Sequence, residues 1–100
     1  MKCPSYNLFF KAIGPKARIQ ILELLRNKPM SVTEITSRLH EEQSKISHNL
    51  KCLKDCHLIE VEQKGKQRIY SLNKETMLPL MKLVEKHVQK FCCKECKVKE

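Results

Sequence analysis

The 100-residue chain has few of the residues that interrupt secondary structure, with two glycines and four prolines. This leaves no room for a flexible linker, and no internal repeat is visible, so we predict one small domain that gains stability from a partner subunit. No stretch approaches the roughly 20 apolar residues of a membrane-spanning helix. The N-terminus lacks the long apolar core and cleavage site of a signal peptide in MKCPSYNLFFKAIGPK. We therefore expect a cytoplasmic protein with no membrane partner.

Motifs for catalysis are also missing. The sequence shows no nucleophile paired with a base, no glycine-rich phosphate loop and no pair of acids that would line a pocket. We therefore predict that the protein is not an enzyme and that it uses no organic cofactor.

Positive charge is abundant. Lys and Arg number 20 against 11 acidic residues, which gives a net charge of +9 and a pI near 9.4. Such a balance suits a polyanionic partner such as nucleic acid, and the alternative is simply a soluble basic surface.

Cysteine is abundant too, at six residues. In a cytoplasmic chain such cysteines are expected to bind metal or to be redox-active rather than to form structural disulfides.

Helical spacing of apolar residues predicts four helices in the first part of the chain. The first spans about residues 5–13 and is ended by Gly14, and Pro15 suits the first turn of the second, which ends near Asn27. Ser31 and Glu34 form a capping box for a third helix that runs through Leu39. After a short polar turn the fourth helix begins.

Ser44 is predicted to cap this fourth helix, whose inner face carries Ile46, Leu50 and Leu53. The third and fourth helices have the proportions of a helix-turn-helix. Two alternating segments follow, at residues 58–62 and 68–72, separated by a turn at residues 64–66. A hairpin with a basic tip at this place is typical of a winged helix domain.

Asn73 is predicted to cap a last helix with an apolar stripe of Met77, Leu80, Met81, Val84, Val88 and Phe91. So small a domain has no core left for this stripe, so we expect it to form half of a dimer interface together with the first helix. The predicted fold class is mainly α with a β-hairpin wing, a homodimeric winged helix-turn-helix. Residues 1–91 would form the DNA-binding and dimerisation domain, and residues 92–100 a cysteine-rich tail.

The chain resembles the ArsR/SmtB family of metal-sensing repressors over roughly residues 5–91. The segments that carry the resemblance are PKARIQILELL, SVTEITSRL, QSKISHNLKCLKDCHLI and VEQKGKQRIYSL. The resemblance implies a dimer that binds double-stranded operator DNA without metal and releases it when metal binds.

Family branches differ in their metal sites. The Cys-x-Cys pair that one branch carries on the third helix matches Ser31 and Thr33 here, so that site is absent. The four ligands that another branch carries on the last helix match Lys74, Thr76, His87 and Lys90, so that site is absent as well. The cadmium- and lead-sensing branch, with two cysteines on the recognition helix and one from the tail, fits best.

The implied ligands are therefore Cys52 and Cys56 with the tail residues Cys92, Cys93 and Cys96. Cysteines four residues apart on a helix have Cβ atoms about 5–6 Å apart, so two thiolates could converge on one ion. The simpler alternative is that Cys52 and Cys56 are small apolar residues at the core edge. A three-sulfur site suits Cd, Pb or As(III) better than Zn. Cys3 is expected to be a spectator and His87 an interface residue.

Two groups of side chains are predicted to contact DNA. The first turns of a recognition helix meet base edges in the major groove, and the wing would contact phosphate or the minor groove. The candidates are Ser44, Lys45, Ser47, His48 and Lys51 on the helix, and Lys64, Lys66 and Arg68 on the wing.

The sequence therefore predicts a repressor whose recognition helix is tied to tail cysteines by a soft metal ion. Two alternatives stay open. The same cysteines could act as a redox sensor without metal, or a structural zinc ion could support constitutive DNA binding.

Overall fold

The computed structural model describes residues 5–91, which contain five helices and three strands. In chain order these are α1 (Tyr6–Ile13), α2 (Lys16–Asn27), β1 (Met30–Ser31), α3 (Val32–Leu39), α4 (Gln43–Asp55), β2 (Ile59–Lys64), β3 (Gln67–Leu72) and α5 (Met77–Phe91). The predicted helices and hairpin are therefore present, and the winged helix-turn-helix fold is confirmed. The predicted tail, residues 92–100, lies outside the described residues.

Local capping explains where two of the helices begin. The Ser5 side chain accepts a hydrogen bond from the Leu8 backbone N–H at 3.3 Å and caps α1. At α3 the Ser31 hydroxyl accepts from the Glu34 N–H at 3.2 Å, and the Glu34 carboxylate accepts from the Ser31 N–H at 3.4 Å. The predicted capping box is confirmed, and it satisfies backbone donors that a helix start leaves unpaired.

Two predicted caps are wrong. Glu42 rather than Ser44 precedes α4, and it caps through its backbone alone, since its carbonyl accepts from the Ile46 N–H at 3.1 Å. Asn73 does not cap α5, which begins later at Met77. Instead the Asn73 side-chain amide donates to the His57 carbonyl oxygen at 2.8 Å and ties the end of the hairpin to the end of α4.

The sheet is antiparallel, with strand order β1-β3-β2. Ile59 pairs with Leu72 at the base of the hairpin, and Lys64 pairs with Gln67 at its tip. The two-residue turn between them needs a left-handed residue, and Gly65 supplies it with φ of 62°. Strand β1 was not predicted from the sequence because only two residues form it.

The core lies between the sheet and the helices α2, α3 and α4. Buried apolar side chains come from every one of these elements, and Met77 from α5 joins them. The largest fully buried ones are Ile21, Leu22, Leu25, Met30, Ile35, Ile46, Leu50, Leu53, Leu58, Ile59 and Met77. Each such side chain contributes about 1.5–3 kcal/mol through removal from water, so the core holds α4 and the wing in a fixed relation.

Among residues 5–91, no helix combines the length and apolar character needed to cross a membrane.

Candidate nucleic-acid interface and cysteine site

Helix α4 divides into a buried face and an exposed polar face. Ile46, Leu50 and Leu53 have no solvent exposure, because their spacing of three and four residues keeps them on one side of the helix. The side chains predicted to contact DNA all lie outside this buried face and are exposed: Ser44, Lys45, Ser47, His48 and Lys51. The polar face is therefore free to enter a groove of DNA.

A short turn joins α3 to α4. His40 ends α3 in the left-handed conformation, with φ of 54°, which reverses the chain direction within a few residues. The fixed turn and the shared core place α3 behind α4, as in a helix-turn-helix.

The hairpin of β2 and β3 presents a basic tip. Lys64, Lys66 and Arg68 are all exposed around Gly65. Lys64 has one acidic neighbour, since its Nζ lies 3.7 Å from a Glu62 carboxylate oxygen. An exposed pair of this kind is weak and screened by salt, so the tip keeps the positive charge that a phosphate contact requires.

Cys52, on the flank of α4, and Cys56, at the C-terminal end of this helix, both face α1. Cys52 is half-buried, and Cys56 is 8% exposed and belongs to the core. Both line a cavity of about 180 Å³ whose other walls are Leu8, Lys11, Ala12, Arg18 and Asp55. The predicted position between the core face and the outer face of the helix agrees with this arrangement.

The two cysteines differ in bonding. Cys52 is a free thiol, whereas Cys56 is disulfide-bonded. The sequence predicted that these cysteines would not form disulfides, so for Cys56 that expectation is wrong in this structure. Its sulfur becomes a metal ligand only after reduction.

The donor set for a metal ion is incomplete within residues 5–91. No three His, Cys, Asp or Glu side chains of this part of the chain are placed to hold a metal ion. Cys52 and reduced Cys56 fit a soft ion as two sulfur donors, and a further ligand must come from elsewhere. The predicted ligands Cys92, Cys93 and Cys96, and also Cys3, lie outside the described residues.

The contact between Arg18 and Asn49 was not predicted from the sequence. The Arg18 Nε donates to the Asn49 Oδ1 at 2.9 Å and joins α2 to the middle of α4. The two residues are 31 positions apart, so no local pattern could have paired them.

Helix α5 exposes the apolar side chains of its second half. Within residues 5–91, Met77 is its one buried residue, while Val84 is 51% and Phe91 65% exposed. An apolar groove of about 500 Å³ runs between α5 and the helices α1 and α2. Exposed apolar area on this scale is typical of an interaction surface.

An ion pair links α5 to α2 beside this groove. Nη1 and Nη2 of Arg26 on α2 donate to the two carboxylate oxygens of Glu85, at 3.1 and 3.4 Å. The ring of His87 lies 5.1 Å from the ring of Phe91 on the same exposed helix. The predicted packing role of His87 is compatible with that position.

Comparison with known proteins identifies the same fold and class. The family model described as "Bacterial regulatory protein, arsR family" matches residues 15–61. The arsenical resistance operon repressor of Bacillus subtilis is 34% identical over 89 residues, which cover 88% of this chain and 79% of that protein.

The transcriptional regulator NmtR of Mycobacterium tuberculosis is 36% identical over 62 residues, 62% of this chain, and the match spans only 52% of NmtR. A solved structure from Mycobacterium bovis, described as the homodimeric winged helix-turn-helix DNA-binding domain of Mb0332, superimposes with a TM-score of 0.75 at 29% identity. The match covers 80% of this chain and 74% of that one.

Proposed function

The chain belongs to the ArsR family of bacterial regulatory proteins, and from this premise we propose that it is a cytoplasmic, homodimeric repressor released from operator DNA by soft metal ions. Membership of this family makes it a DNA-binding transcriptional regulator and not an enzyme, as the sequence predicted. The effector class, the ligand residues and the dimer are parts of the proposal.

The exposed faces support DNA binding. The polar face of α4 would read base edges, with Ser47 and His48 near its centre, and the wing would contact phosphate through Lys64 and Arg68. A dimer of such domains reads two half-sites about one DNA turn apart. The apolar face of α5 is the surface that we assign to dimerisation.

One observation carries the proposed regulation. Cys52 sits on the same helix as the DNA-facing side chains and Cys56 directly follows that helix, and Cys52 Sγ lies 3.8 Å from Nε2 of His48. A ligand held by these sulfurs therefore acts on the recognition helix directly. The arsenical resistance repressor among the relatives supports a soft, thiol-seeking effector class such as Cd, Pb, Zn or As(III).

Release of DNA would follow from the coupling between ion binding and DNA binding. Cys52 and reduced Cys56 would share the ion with tail cysteines from Cys92, Cys93 and Cys96, so α4 would become tied to a segment that follows α5. Constraining α4 in this way changes the spacing of the two recognition helices. Because the coupling is reciprocal, the ion must weaken DNA binding by the same factor by which DNA weakens ion binding.

The test combines metal binding and DNA release on fully reduced protein. Thiolate-to-metal ultraviolet absorption would follow titration with Cd²⁺ or Pb²⁺, and fluorescence anisotropy would follow a labelled duplex selected by the wild-type protein. Cys52→Ser and Cys56→Ser should keep the metal-free affinity for DNA but lose release, since a hydroxyl is a poor ligand for a soft ion. Replacing Cys92, Cys93 and Cys96 together should do the same.

Cys3→Ser is the matched control and should behave as wild type. Heterodimers that combine a Cys52/Cys56-deficient subunit with a tail-deficient subunit should keep one working site only if ligands come from both chains. The proposed site would be wrong if the Cys52/Cys56 double variant still released DNA at the metal concentration that releases the wild-type protein.

A redox sensor is the second candidate, because Cys56 is disulfide-bonded in the structure. Oxidation of a thiol pair beside α4 would also displace the helix, without any metal ion. Mild peroxide in the presence of a chelator separates the two functions. Release of DNA under these conditions, with a new disulfide found by mass spectrometry, would favour the redox function, and continued binding would favour the metal function.

A further inference from the structure

Arg18 connects three helices through one side chain. It belongs to α2 and is half-buried, and its Nε donates to Asn49 Oδ1 on α4 at 2.9 Å. Its Nη1 donates to the Ala12 carbonyl oxygen in the last turn of α1 at 3.3 Å. That carbonyl lies at the negative end of the α1 dipole, where a cation is favoured.

Most of the side chains that pack α4 against the core are apolar. Ile46, Leu50 and Leu53 are fully buried, and their close packing limits the rotation of α4 without setting the direction of any one bond. A hydrogen bond from a charged donor has a narrow range of distance and angle. The Arg18–Asn49 bond therefore adds a directional contact at the middle of α4, which narrows the rotation of this helix about its axis.

Asn49 is well placed for this effect. It directly follows Ser47 and His48, which lie on the exposed face of α4. A rotation of α4 moves these side chains relative to base edges, whereas the wing residues, on a separate hairpin, keep their positions.

We infer that Arg18 is a positioning residue for sequence-specific DNA recognition, which it serves by fixing the rotation of α4 through Asn49. The inference rests on the proposed role of α4 in reading DNA, and it does not depend on which effector releases the protein. Arg18 is itself engaged with Asn49 and Ala12 and would make no base contact. Its loss should therefore impair discrimination between sequences more than general affinity for DNA.

The test is a double-mutant cycle on reduced, metal-free protein. Affinity would be measured for the duplex selected by the wild-type protein and for a shuffled duplex of equal length, with Arg18→Ala, Asn49→Ala and the double variant. Each single variant should bind the selected duplex about tenfold or more weakly, and the double variant no more weakly than Arg18→Ala. Affinity for the shuffled duplex should change less than about twofold after correction for charge.

Lys86→Ala supplies that correction, because it removes one exposed positive charge from α5 on the side opposite Val84 and Val88. Asn49→Ala keeps the arginine and its charge, so it tests the inference even if Arg18→Ala fails to fold, as checked by circular dichroism. The inference would be wrong if the two single losses of affinity multiplied in the double variant, or if affinity fell equally for both duplexes. It would also be wrong if Asn49→Ala bound the selected duplex as tightly as the wild-type protein does. Failure of the wild-type protein to select any duplex would count against the proposed function instead.

Discussion

Sγ of Cys52 lies 3.8 Å from Nε2 of His48, one helical turn earlier on α4. A thiol assigned to effector binding and an imidazole assigned to DNA binding are thus in contact. An Nε2–H of His48 that donates to a base is no longer available to the Cys52 sulfur. Ion binding or oxidation at Cys52 and base recognition by His48 are therefore expected to interfere with each other.

His48→Ala should change the order in which the protein ranks duplexes that differ at single base pairs, by about 1–3 kcal/mol at the base concerned if the contact is direct. Binding competition among such duplexes measures it. His40→Asn is the control, because it removes an exposed histidine outside α4 and asparagine tolerates the left-handed conformation. An unchanged ranking with His48→Ala would exclude a direct base contact.

Removing charge from the wing should weaken binding to all sequences alike. Lys64→Ala or Arg68→Ala each removes one exposed cation near the tip, so the slope of log affinity against log salt should fall by about one unit. Salt titrations on selected and shuffled duplexes test this. Lys74→Ala, which removes an exposed cation outside the hairpin, should leave the slope unchanged. Equal slopes in all three variants and the wild type would contradict a phosphate contact by the wing.

Val84→Glu should prevent dimerisation. Val84 is 51% exposed in the single chain and lines the apolar groove between α5 and α2. A charge buried there in a dimer would cost several kcal/mol, so a monomer or an unfolded chain is expected by analytical ultracentrifugation. Lys86→Glu introduces the same side chain on the opposite side of α5 and should leave the dimer intact. A stable Val84→Glu monomer that still binds DNA as the wild type does would exclude this interface.

His57→Gly should stabilise the fold by up to about 1 kcal/mol. His57 has φ of 61° after the end of α4, a conformation that costs an ordinary residue about 1–2 kcal/mol and glycine very little. Its carbonyl bond to Asn73 is a backbone contact and is kept. Lys54→Gly, inside α4, should instead destabilise by about 1 kcal/mol. Urea unfolding at one fixed protein concentration compares them, and equal midpoints for the two variants would contradict the argument.

The parts of the fold that depend on neighbouring residues could be predicted. Ser31 and Glu34 are three positions apart and satisfy each other, so the start of α3 was visible in the sequence. The outward face of α4 and the turn at Gly65 likewise follow from spacing and from one residue's conformational freedom.

The parts of the fold that depend on residues far apart in the chain could not be predicted from the sequence. Glu42 precedes α4 without any side-chain bond, so nothing marked it, and Ser44 was the misleading local signal. Asn73 was expected to cap the next helix, yet its amide is taken by a carbonyl 16 residues earlier in the chain. The surroundings of the two cysteines could not be predicted from the sequence either. The spacing placed Cys52 and Cys56 on one flank of α4, but not opposite Leu8 and Lys11 of α1.

The exposed α5 also has a consequence for how much of this protein a cell would hold. Within residues 5–91 its one buried side chain is Met77 at the first turn, and its later apolar side chains are exposed, so the second half of the helix has little apolar packing in an unpaired subunit. Proteases cut segments that open easily, and subunits that fail to pair would be degraded faster than dimers. When mainly unpaired subunits are lost, the concentration of unpaired subunits follows the rate of synthesis and the concentration of dimer follows its square. The amount of active repressor would then respond more steeply than the rate of its synthesis.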